Sequence, residues 1–191
     1  MASAFSHAVV AFAVGKAPVG REWDRRVLLL GMLCSILPDA DVIGFHAGIQ
    51  YGDLWGHRGM THSLFFAALL SGALVALLYR HRPTRVRAGL WAYFFLSTAS
   101  HGVLDAMTNG GLGVAFFSPF DVTRYFFGFR PVLVSPIGLG EFFTAYGLQV
   151  VLSELVWICL PAGALFVTIR TAQRLWSGGL ATERTPSDQV S

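Results

Sequence analysis

The chain has 191 residues, 54% of them hydrophobic and only 13% charged, with a formal net charge of +3. A soluble domain carries roughly a quarter charged residues, so half that share, with long uncharged runs, points to a protein that uses lipid as part of its solvent. The basic residues form no continuous stripe, which implies no nucleic-acid partner.

This length suits a single domain, read here as residues 1–176 and followed by a polar tail, 177–191, expected to be disordered. Met1–Val14 is apolar but lacks a basic start and already contains His7, so it reads as a retained helix rather than a signal peptide. The runs Ala4–Val14 and Val27–Leu37 are about 16 Å long as helices, too short to cross a membrane alone. Pro38 is expected to stop the second, because proline disfavours helical geometry in the residue before it. Ser63–Tyr79, Ala88–Met107 and Ala145–Arg170 follow as candidate spans, against a need of about 20 residues. The expected fold is therefore all-α: a polytopic integral membrane helical bundle with three long spans and two shorter N-terminal helices. Asn109–Glu141, rich in Gly, Pro and aromatic residues, reads as a long structured loop. Cys34 and Cys159 lie in apolar segments and predict neither a disulfide nor a thiolate metal site.

Arginine placement sets the orientation. Arg80, Arg82, Arg85 and Arg87 crowd one short loop; Lys16, Arg21, Arg25 and Arg26 lie between the short helices, and Arg170 and Arg174 follow the last span. Alternating loops put all three clusters on one side, expected to be cytoplasmic, and leave Arg58, Arg124 and Arg130 on the other.

On that map seven potential ligands fall at the non-cytoplasmic ends of four segments: His7, Asp39, Asp41, His57, His62, His101 and Asp105. Each has a bland alternative, from packing histidine to polar helix end. Together, in lipid, where each ionisable group costs about 2.5–3.5 kcal/mol or more, a functional cluster is the better reading. His101 and Asp105, four apart, share one face of a helix. Asp39 and Asp41 flank a bend after Pro38. His57 and His62 bracket Gly59, with Thr61 a plausible cap for the following helix. Imidazole and carboxylate ligands suit zinc, iron or manganese, and seven of them suit two or three ions.

The motifs LPDAD, HRGMTHS and HGVLD, in that order and after an early His, resemble the membrane-bound predicted metal-dependent hydrolases, whose best-known bacterial members are LexA-regulated inner-membrane proteins. The resemblance covers roughly residues 5–170. The family looks distantly similar to zinc phospholipases C and single-strand nucleases, which implies a multinuclear zinc site and phosphoester hydrolysis. The expected function is hydrolysis of a small-molecule or lipid-linked phosphoester by metal-activated water, in a bacterial inner membrane, with Asp41 as a candidate general base. A divalent-cation transporter and a non-catalytic protein with a structural metal are the alternatives.

Other residues stay open at this level. Arg58 could clamp a substrate phosphate or pair with Asp53. Ser118–Pro131 could be a lid over an anionic head group or an aromatic belt with snorkelling arginines. Glu154, deep in the last span, is either protonated and hydrogen-bonded to a neighbouring helix or part of a polar path. Glu141 is a weaker ligand candidate, and His46 and His81 read as ordinary.

Overall fold

The computed structural model describes residues 1–16, 23–136 and 139–182, with backbone only for residues 139 and 176–182. Seven α-helices follow one another: α1 Ala4–Lys16, α2 Arg25–Ile36, α3 Leu64–Leu78, α4 Thr84–Ala106, α5 Leu139–Phe142, α6 Ala145–Glu154 and α7 Leu160–Thr182. The described residues contain no strand, only isolated bridges at Thr108–Val132 and Val114–Tyr125, so the fold is all-helical.

Among the described residues two segments, not the expected three, are long and apolar enough to cross a membrane: Arg25–Ala47 and Ala145–Leu175. The second short helix is the larger correction. The α-helix does end at Ile36, just before Pro38, but the chain stays helical there, tightening into a 3-10 helix, Leu37–Ala47, with the proline in its first turn. There the missing N–H is no loss. Asp39 and Asp41 thus sit on a helical continuation of α2 rather than beyond it. The other two expected spans fall short for different reasons. α3 has 15 residues, about 22 Å of rise; α4 has 23 but includes Arg85, Arg87, His101 and Asp105. The last span does form, with α6 and α7 joined through one π turn, Leu155–Cys159. α7 runs on to Thr182, so residues 177–182 are helical rather than tail, while 183–191, like Arg21, lie outside the described residues.

α4 is the central element, packed against α1, α2 and α3. Its Tyr93 and Phe94 are buried with Val27, Leu28, Val75 and Leu90 at the end away from the histidines. Tyr93 Oη lies 3.3 Å from Ala11 O and 3.4 Å from Leu28 O, tying three helices together. α1 and α2 approach this phenol so closely that a Cβ on Gly31 would lie 2.2 Å from its oxygen.

Helix ends are capped by side chains, as the orphan N–H groups require. Asp24 accepts from Val27 N at 2.8 Å and Ser63 accepts from Phe66 N at 3.0 Å. The α3 cap is therefore Ser63, not Thr61. Glu154 serves the neighbouring helix: buried, it accepts from Ser3 N at 2.5 Å, from Ser6 Oγ at 2.8 Å and from Ser3 Oγ. Of the two readings for Glu154, the structure shows the hydrogen bond to a neighbouring helix. It satisfies the first turn of α1, where no water would be at hand in lipid.

Candidate metal centre

All seven predicted ligands converge at one end of the bundle, and four of them form a tight group. Asp39, His62, His101 and Asp105 each offer an atom within 4.8 Å of the others. His62 Nε2 and His101 Nε2 face one another at 3.0 Å. Asp39 Oδ1 lies 3.2 Å from His101 Nε2 and 3.7 Å from His62 Nε2. Asp105 Oδ2 lies 3.6 Å and 3.8 Å from the same two nitrogens. Zinc bonds to N and O ligands are about 2.0–2.2 Å and tetrahedral, which puts ligand atoms about 3.3–3.6 Å apart. The observed spacings bracket that edge.

Backbone and local sequence produce this meeting. His101 and Asp105 are fixed one turn apart on α4. His62 ends a single 3-10 turn, Met60–His62, which lies directly against α4 because residue 102 is glycine: a Cβ there would sit 2.9 Å from His62 O. Asp39 comes from the first turn of the 3-10 helix after α2.

The surrounding hydrogen bonds orient the ligands. His101 Nδ1 lies 2.7 Å from Ser35 O. A carbonyl only accepts, so Nδ1 carries the proton and Nε2 presents its lone pair to the cluster. His62 Nδ1 is similarly placed 3.2 Å from Asp41 Oδ2. Asp41 also accepts from Thr61 Oγ1 at 2.7 Å and lies 2.7 Å from His57 Nδ1. Asp41, His57 and His62 form a second group close enough for an ion, sharing His62 with the first.

The donor set fits a cation. Both oxygens of Asp39, Asp105 Oδ2 and both ring nitrogens of His7 are buried without a hydrogen-bond partner. Such orphans are rare in folded proteins unless an ion or water completes them. Burial opposes charge on His62, but the carboxylates of Asp105, Asp39 and Asp41 around it outweigh that and push this imidazole up to about 10. Three carboxylates around one ring favour positive charge there. His7 lies beside the four-residue group, stacked on His101 at 3.8 Å between centroids, with Nε2 3.7 Å from Asp105 Oδ1.

Arg58 does not pair with Asp53, one of its two sequence readings. It is fully buried, with Nε 3.1 Å from Asp105 Oδ2. Its remaining nitrogens donate to Gly110 O at 2.8 Å and Thr108 Oγ1 at 3.0 Å. Asp53 instead accepts from Gln50 N. Arg58 adopts φ 64°, a conformation uncommon outside glycine, held by these contacts. Arg124 donates to the carbonyls of His57, Tyr51 and Asp53, clasping the loop that carries His57, while Arg130 lies over Phe126. Glu141 is exposed on α5. Sequence reasoning gave Thr61 a cap's role instead of its bond to Asp41, and missed Ser35 and the Arg58–Asp105 pair. Only Thr61, inside HRGMTHS, lay near enough in the chain to be noticed.

The chain's relatives give the setting of this cluster. No solved structure matches the chain. It is 38% identical over 164 residues to "Inner membrane protein YbcI" of Escherichia coli (strain K12), covering 84% of this chain and 92% of that protein. Residues 1–177 match the family described as YdjM inner membrane protein. The chain belongs to the YdjM inner membrane protein family.

Proposed function

We propose that this protein is a membrane-bound, metal-dependent hydrolase that cleaves a small-molecule or lipid phosphoester at the Asp39–His62–His101–Asp105 cluster. The observation that carries the reading is the meeting of four buried donor atoms at metal-ligand spacing, with orphaned carboxylate oxygens between them. A bound divalent ion, zinc first among candidates, supplies Lewis acidity and brings a water proton within reach at neutral pH.

The chain's own residues divide the work. His62 and His101 present Nε2 because Asp41 and Ser35 O hold their other nitrogens. Asp105 would hold the ion through Oδ2, with Arg58 balancing its charge. Asp41 is occupied on both oxygens, so its role is to position His62 rather than to act as the base. Asp39 keeps Oδ2 free of any hydrogen bond, which leaves that atom to accept the proton from water. Hydrogen bonding favours one ion in the four-residue group; a second beside Asp41 and His57 would displace those bonds. Arg25 and Arg26 begin the Arg25–Ala47 segment and Asp39 stands towards its other end, which under the positive-inside rule favours a site nearer the non-cytoplasmic face.

A closed structural ion has one observation in its favour, since four protein donors complete a tetrahedron. Against it stands only that Asp39 is the ligand nearest the surface, its side chain 9% exposed with both oxygens buried, while His62, His101 and Asp105 are at 0%. Transport gains no support from Glu154, which serves the end of α1 rather than a polar path.

The test is hydrolysis by purified protein in detergent, offered bis(p-nitrophenyl) phosphate and phosphatidylglycerol. Turnover is expected with zinc, lost with a chelator and restored by added zinc. Retained zinc with no cleavage of any phosphoester or amide offered would move the structural reading ahead.

A further inference from the structure

A groove of about 550 Å³ runs between α2 and α3, lined mainly by aliphatic side chains, among them Leu30, Leu33, Ile36, Leu70 and Leu74. Among the described residues its lining has one charged side chain, Asp39, which stands at its end. Asp39 is also the most exposed of the seven predicted ligands compared by side chain: Asp41 is 2% exposed, His57 1%, and His7, His62, His101 and Asp105 0%. The cluster therefore comes nearest its surroundings at Asp39, whose two oxygens stay turned inward, and what lies against that side chain is an apolar trough.

From these observations we infer that the groove holds one acyl chain of a membrane phospholipid and thereby brings the lipid's phosphoester to Asp39. The groove's walls belong to a segment, Arg25–Ala47, apolar enough to cross a membrane. From Leu30 to Asp39 the chain climbs about 14 Å, close to half of a hydrocarbon core about 30 Å thick. A chain lying along the groove from its Leu30 end would bring its head group to the Asp39 end. Aliphatic walls offer no partner to a sugar or a base, which disfavours a soluble nucleotide. A protein helix laid in the groove would cover Asp39, the cluster's point of access. Leu33 and Leu37 remain 63% and 45% exposed on the groove's outer side, so a lipid can enter sideways.

This inference rests on the hydrolase reading only for the fate of the phosphoester; occupancy of the groove is independent of it. The test uses the full chain in phosphatidylcholine vesicles containing a trace of phosphatidylglycerol with a diazirine near the end of one acyl chain. Photolysis is done with and without zinc, and adducts are mapped by peptide mass spectrometry. Adducts are expected to concentrate on Leu30, Leu33, Leu70 and Leu74 in both states. Filling the groove by Leu33→Trp, or separately by Leu74→Trp, should lower that labelling by about tenfold, a modest loss of affinity. Leu69→Trp, on α3 but outside the lining, should leave it unchanged. Retained zinc content shows that each variant is folded. Groove labelling without hydrolysis would support the lipid site while removing the enzyme reading. Labelling spread evenly over exposed Leu69, Leu77 and Leu165, or insensitive to both groove substitutions, would overturn the inference. So would cross-links joining α2 to a second copy of the chain in place of lipid adducts.

Discussion

Asp105→Ala is expected to cost the protein its ion and about 3–5 kcal/mol of stability, the range for removing one partner of a buried charge pair. The carboxylate serves three groups at once. Oδ1 accepts from Ala2 N at 2.7 Å, and Oδ2 faces both Arg58 Nε and the cluster nitrogens. Alanine leaves the Arg58 guanidinium buried beside two neutral acceptors and leaves Ala2 N unsatisfied. Graded SDS denaturation in micelles would read the stability change. The double variant Asp105→Leu/Arg58→Met should recover much of that stability, because it removes both charges together, yet still bind no zinc. A single variant as stable as wild type would mean that the pair is not buried as described.

Asp41→Asn separates a positioning residue from a base. If Asp41 acts through His62, zinc affinity should fall about 10–100-fold, as for other outer-shell partners of histidine ligands. At saturating zinc, kcat should then return close to the wild-type value. Loss of a general base would instead leave kcat down by a factor of about 10²–10⁴ however much zinc was added. That outcome would return Asp41 to the role its sequence position first suggested. The distinction rests on geometry: Thr61, His57 and His62 already occupy both oxygens.

The ligands were legible in the sequence because each pair is local. His101 and Asp105 follow from helical spacing, LPDAD from its two aspartates, and HRGMTHS from its paired histidines. Their convergence followed from placing helix ends on one side of a membrane. What could not be read depends on packing between distant segments. Arg58 and Asp105 are 47 positions apart, and nothing in either neighbourhood marks them as partners. The clasp of Glu154 on Ser3 and Ser6 spans about 150 positions. Pro38 misled only in part: it ends α geometry, as the rule says, but the chain continued in the tighter 3-10 form. The count of spans failed with it, since the short second helix became one of the two long segments.

Metal analysis of purified protein, wild type beside Asp39→Ala, His62→Ala, His101→Ala and His81→Ala, tests the metal centre most directly. Wild type should retain about one transition ion per chain through chelator-free purification, as a set of four buried donors requires. His81 lies in the exposed arginine loop, with Arg80 Nε donating to its ring, so His81→Ala should keep that ion. The three cluster variants should lose most of it. Equal metal content in all five proteins, or none in the wild type after reconstitution with zinc, iron and manganese, would contradict a metal centre at Asp39, His62, His101 and Asp105.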